Sequence, residues 1–225
     1  MNVKSKITKI LCLGLALISV MALLASCGKR LNMQADKLTD KKLGVTYKLV
    51  PGVTPKSVSN EEYATLKINK VKTVFYRIEG EEPEVAIADE YGEVYVSDDR
   101  SIASLEEFEP KSVMVCSNSE IVMAFGEIAD ADTVGKIVDL FKNGQYENYP
   151  NVPTEFYALR FESDKYPSLY FCMKLICTAD KVYINYRDAY SGMNICVDAG
   201  NIFDEIIKDY AEGEYPGDPY YDDED

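Results

Sequence analysis

The stretch YALRFESDKYPSLYFCMKLICTADKVYINY, residues 157–186, decides the fold. Tyr157, Leu159 and Phe161 alternate with Ala158, Arg160 and Glu162. Leu169, Phe171, Met173, Leu175 and Cys177 repeat the alternation, and Val182, Ile184 and Tyr186 repeat it again. A period of two lines one face of a pleated strand with apolar side chains. A turn at Ala179-Asp180 sets Cys177 opposite Val182, Leu175 opposite Ile184 and Met173 opposite Tyr186. A loop over 163–167 sets Phe161 opposite Leu169. Both connections bring the apolar rows to one face, as the register of a half-buried sheet requires.

Working outward, residues 131–143 read as a helix. Asp130 or Asp132 caps it, Val134, Ile137, Val138 and Phe141 make the stripe, and Gly144 ends it. A second helix is expected over 202–211, with Asn201 as cap and Ile202, Phe203, Ile206, Ile207 and Tyr210 on one side. Residues 71–78 are β-branched and aromatic, hence a strand. Residues 85–88 and 94–97 flank the turn 89–93 as a hairpin, and 113–116 with 121–125 flank 117–120 as another. Ser104-Leu105-Glu106-Glu107 has capping-box spacing, cut short by Pro110. Ser59-Asn60-Glu61-Glu62 has the same spacing, with Tyr63 and Leu66 following, and predicts a short helix. The fold class expected is α+β: an antiparallel sheet with a few helices on one face, preceded by a signal peptide and a tether.

The start of the chain carries a sharper signal. Lys4, Lys6 and Lys9 precede an uncharged run over 10–24, and Leu24-Ala25-Ser26-Cys27 closes it. A basic start, a short apolar stretch and a small-residue cleavage site mark export. Fifteen residues span about 22 Å, short of the roughly 30 Å hydrocarbon layer that an uncleaved helix must cross, while counting on through Cys27 gives eighteen, a borderline span that leaves an uncleaved anchor as the alternative. An aliphatic residue, two small ones and a Cys resemble the lipobox of bacterial lipoproteins. In that family the Cys thiol receives a diacylglycerol and a peptidase cuts just before it. The resemblance covers the first tenth of the chain. It implies a signal peptide over 1–26, Cys27 as acylated first residue, and a protein anchored on the extracytoplasmic side of a cell membrane.

Residues 28–60 hold seven basic and two acidic side chains, with Pro51-Gly52 and Thr54-Pro55 at the far end. They read as a basic tether, 27–60, lying on anionic headgroups and holding a domain over 61–210 on the order of 30 Å away. Residues 211–225 carry seven carboxylates, two prolines and three tyrosines, and read as an acidic disordered tail.

The chain's net charge of −14 argues against a nucleic-acid binder, and the absence of His removes Ser-His-Asp and Cys-His mechanisms. No cofactor or metal is expected. The acidic run 222–225 lacks the alternating spacing of a calcium loop, and 130–141 fails at its third and twelfth ligand positions. With Cys12 in the signal and Cys27 acylated, Cys116, Cys172, Cys177 and Cys196 remain. They read first as small buried apolar residues. Two disulfide connectivities are also open, 116–172 with 177–196 or 116–177 with 172–196, since 172 and 177 are too far apart in one strand to pair. Seventeen tyrosines fall mostly on strand positions, where half-buried aromatic residues are ordinary. The functional expectation is a non-catalytic, lipid-anchored module binding a protein or cell-wall polymer. The alternative is a small surface-anchored hydrolase using carboxylates or a Cys.

Overall fold

The computed structural model describes residues 29–34, 37–100, 102, 104–118, 122–187 and 194–211. The lipobox and the acidic tail lie outside them, apart from Ala211. Antiparallel sheet dominates, with few helices, and the strands form two sheets rather than one.

The second sheet contains the stretch that decided the fold. Its strands are β9 (Pro110–Ser117), β10 (Ala124–Ile128), β11 (Tyr146–Glu147), β12 (Glu155–Ser163), β13 (Leu169–Cys177), β14 (Val182–Arg187) and β15 (Asn194–Asp198). They lie in the order β10-β9-β12-β13-β14-β15-β11. Cys177 faces Val182 and Leu175 faces Ile184, as the turn at 179–180 requires. That ladder stops at Lys174 and Asn185, short of the expected Met173–Tyr186 pair. The edge beyond is taken by β4 (Val53–Pro55), which pairs with Leu169–Phe171 while Gly52 O accepts the Cys172 N–H at 2.6 Å. Phe161 meets Phe171 rather than Leu169. A shift of two residues keeps the same face inward, so the apolar pattern alone does not separate the two registers.

The first sheet is built from the stretch expected to be a tether, together with residues up to Ser97. It holds β1 (Asn32–Gln34), β2 (Lys37–Asp40), β3 (Val45–Leu49), β5 (Val58–Ile68), β6 (Val71–Ile78), β7 (Ala86–Asp89) and β8 (Val94–Ser97), in the order β1-β2-β3-β8-β7-β6-β5. Residues 29–31 then join its two ends. Arg30 bridges Thr65 of β5 in parallel, Thr65 N–H donates to Lys29 O and Leu31 N–H to Thr65 O, both at 2.8 Å. The sheet is thereby closed around Leu31, Leu38, Tyr47, Tyr63, Ala64, Leu66, Phe75, Ile87 and Tyr95. Leu38 and Tyr47 are completely buried, which no loose tether allows. The bridge covers the edge of β5 at Thr65.

The helix expected over Ser59–Leu66 is instead part of β5. The Ser59 hydroxyl does accept the Glu61 N–H at 3.1 Å, a local turn in a strand that bulges between Val58 and Ala64. Tertiary pairing with β6 overrides the capping signal. Ser104 behaves as expected and caps α1 (Leu105–Phe108), accepting Glu107 N–H. Helix α2 (Ala131–Asn143) matches its expected bounds, with Asp130 accepting Thr133 N–H. Helix α3 (Asp204–Ala211) starts later than expected, because residues 201–203 form turns, and Asn201 therefore stands ahead of the cap position. The strand expected at 121–125 lies at Ala124–Ile128; Ile121 is outside the described residues.

A second core joins the sheets. Leu159, Phe161, Phe171, Leu175, Ile184 and Val197 of the second sheet meet Ile78, Ala86, Ala88, Val94 and Val96 of the first, with Ile137 of α2 and Phe203 added. At one edge of this contact Gly80, at φ +86°, leaves room for Ser168, whose Oγ would stand 2.6 Å from an added Cβ.

Two expectations can be checked in urea melts. Leu175→Asp, at a fully buried position, should cost more than about 3 kcal/mol, whereas Lys174→Asp on the exposed face should cost under about 1 kcal/mol. Asn69 and Lys70 both have positive φ, 48° and 73°, in the two-residue turn between β5 and β6. Glycine suits such a turn, so Lys70→Gly should raise stability by about 1 kcal/mol.

Candidate functional site

Asp40 ends β2 with a carboxylate 1% exposed. Oδ1 accepts the N–H groups of Lys42 at 2.9 Å and Leu43 at 3.2 Å, which folds the turn into β3. Oδ2 accepts the Tyr63 hydroxyl at 2.8 Å and the Lys29 ammonium at 2.5 Å. The Lys29 ammonium also donates to the Tyr63 hydroxyl and lies 4.0 Å from the centre of its ring. Burial works to raise the Asp40 pKa, but the hydrogen bonds from Lys29, Tyr63 and the Leu43 amide outweigh it and hold the carboxyl below its ordinary 3.8. Burial pushes the Tyr63 phenol far up, with the Asp40 carboxylate adding to it, so Tyr63 stays a donor. Tyr47 completes the cluster, its hydroxyl donating to Pro83 O at 2.7 Å and its pKa pushed by burial to about 12. Lys29, two positions after Cys27 in the sequence, is therefore locked into the fold.

At the margin of the second sheet two recesses adjoin. One, of about 600 Å³, lies between the C-terminal half of α2 and the loop after β15, lined by Lys136, Asp139, Asn143, Gly144, Asp198 and Asn201 among others. The next, of about 570 Å³, shares Asp198, Gly200 and Asn201 and extends to Asp180, Lys181 and Asp204. Lys181 bridges Glu147 at 2.9 Å and Asp198 at 3.0 Å, tying β11, β14 and β15 together. The Gly200 N–H and then Lys181 hold Asp198 below the usual carboxylate range. The lining is mixed, with carboxylates outnumbering amines. It offers hydrogen bonds and charge to a polar ligand without enclosing it.

The four cysteines are free. Cys116 lies on β9 and Cys172 on β13 with β12 between them. Cys196 lies on β15, separated from β13 by β14. Two strand spacings are about 9.6 Å, beyond the roughly 7 Å limit for a disulfide. Cys177 points into the core shared by the sheets, while Cys196 packs with Ile176 and Tyr183 on the other face. Neither expected connectivity can form without moving a strand. Burial raises all four thiol pKa values, Cys177 to about 11 with Glu155 and Asp204 adding to it. A catalytic thiol needs the opposite shift.

Among the described residues no group of three or more His, Cys, Asp or Glu is placed to hold a metal ion, and no helix is long and apolar enough to cross a membrane. Cys27, the lipidation residue expected from the sequence, lies outside the described residues. Nothing in the sequence pattern singled out the Lys29–Asp40–Tyr63 cluster, whose members look there like ordinary surface residues. The recess was legible only in pieces, through Asp180 as a turn residue, the Gly144 end of α2 and Asn201 as the expected cap of the last helix.

Removing the cation from this cluster strands a buried carboxylate. Lys29→Met should cost about 3 kcal/mol at neutral pH. Lys29 helps hold the Asp40 pKa below 3.8, so its contribution is present above that value and is lost as pH falls through the folded-state pKa. The difference between wild type and Lys29→Met in urea melts should therefore shrink in acid. No family model matches the chain, and no curated protein or solved structure matches it either.

Proposed function

We propose that this chain is a lipoprotein held on the extracytoplasmic side of a cell membrane by acyl groups on Cys27, and that its folded part is a non-catalytic binding module. The observation that carries the anchor is Leu24-Ala25-Ser26-Cys27, an aliphatic residue, two small ones and a Cys closing a basic start and an apolar run. Two acyl chains on Cys27 meet the two-signal requirement for stable anchoring, at ~0.8 kcal/mol per buried CH₂. The open recess beside α2 supports the binding role. Its carboxylates, two asparagines and two lysines stand beside Leu140, Ala199 and Ile202, a mixed polar and apolar surface for a protein or wall polymer. The raised thiol pKa values speak against the hydrolase reading in its cysteine form.

Cys27→Ser should abolish lipid labelling and leave the uncleaved precursor in pulse-chase gels. Normal processing and membrane retention in that variant would place the anchor elsewhere. The binding role is tested by incubating the purified protein with muropeptides, glycans and ester substrates. Reproducible turnover, lost on replacing one Asp, Glu or Cys, would overturn it in favour of a hydrolase.

A further inference from the structure

We infer that the turn Lys41-Lys42-Leu43 is the element by which the domain rests on the anionic lipid surface holding its anchor, an inference that rests on the acylation of Cys27 proposed above. The geometry comes from one carboxylate. Asp40 binds the Lys29 ammonium through Oδ2 and the Lys42 and Leu43 amides through Oδ1, so the chain's entry into the fold and this turn share a single group. Only Gly28 separates Lys29 from Cys27. Two residues reach at most about 7 Å. Once Cys27 carries acyl chains in the bilayer, Lys29 and the neighbouring turn must lie at the headgroup level.

The turn is made for that level. Lys41 and Lys42 are exposed, and Leu43, just before Gly44, is 38% exposed. Gly44 takes φ +70° and its N–H donates to Asp40 O at 2.8 Å, which fixes the tip outside the closed sheet. Two cations beside an apolar side chain complement anionic headgroups over an acyl boundary.

The chain contains no tryptophan, so Leu43→Trp gives it a single indole. Processed, acylated protein carrying this change is incorporated into phosphatidylglycerol vesicles. The control carries Val152→Trp, at a position 76% exposed before β12. Flotation reads the anchor; emission and quenching by brominated acyl chains read the docking. Both variants should float, and only Leu43→Trp should shift to the blue and be quenched. Adding Lys41→Ser and Lys42→Ser should lower the docked-to-undocked ratio roughly 30-fold, taking the surface value of ~1 kcal/mol per lysine. Floating protein whose Leu43→Trp indole stays unquenched, or is quenched no more than Val152→Trp, overturns the docking while the anchor stands. Failure of both variants to float overturns the anchor, and the docking with it.

Discussion

The carboxylate of Asp40 is the constraint on which the first sheet depends. A buried carboxylate must be matched on every side, because desolvation costs several kcal/mol that only good geometry recovers. Here both oxygens are satisfied, by two backbone amides on one side and a phenol and an ammonium on the other. The amides set the turn from β2 to β3. The phenol belongs to β5 at the far end of the strand order, and the ammonium to the segment that closes the gap. One group thus holds together three stretches that apolar patterning alone would leave free to slide. Such a pair contributes specificity more than stability: its loss is costly, while its presence roughly balances the cost of dehydrating it.

Closure of the first sheet explains why β7 and β8 are buried along their whole length. Ile87 and Tyr95 face the interior of the closed sheet, and Ala86, Ala88, Val94 and Val96 face the second sheet. A strand covered on both sides reads as a continuous apolar run rather than an alternation. Ala86 and Ala88 of the first sheet are small at this contact, and Phe161, Phe171 and Leu159 of the second are large. Small against large lets the two backbones approach without voids.

Legibility in the sequence followed the clarity of each repeat more than its length: the four-residue β7 and β8 read as a hairpin across their turn, while the eleven-residue β5, with its bulges, did not read as a strand. Strands β12 and β13 have nine residues each and helix α2 has thirteen, long enough for a period to show. Strands β1 to β4 have three to five residues, too few for alternation to stand out, and their lysines suggested solvent. What orders them is remote: Arg30 with Thr65, Asp40 with Tyr63, and Thr54 with Tyr170. At Ser59 the capping signal failed: the hydroxyl accepts the Glu61 N–H in a local turn rather than the Glu62 N–H of a capping box, and pairing with β6 takes the segment. The same limit applies to the sites. Asp198 and Asn201 acquire meaning only when α2 packs beside them, and a lone Asp40 among lysines gives no sign that it will be buried.

The folding of residues 29–60 also changes the meaning of their charge. As a loose tether, seven basic side chains would each lose backbone freedom on meeting a lipid surface, and that ordering would oppose the attraction. In the closed sheet the backbone of this turn is ordered already, so on the proposed docking Lys41 and Lys42 would meet headgroups without that cost. The number of lysines able to engage is smaller, because Lys37 and Lys48 are committed to Asp98 and Lys29 to Asp40. Residues 61–225 carry an excess of acidic over basic groups. Their repulsion from an anionic surface decays over about 8 Å at physiological salt, whereas the basic turn acts at contact. Position therefore outweighs net charge: a chain of −14 can still present a cationic end to a membrane, provided its anchor leaves it no slack to turn away.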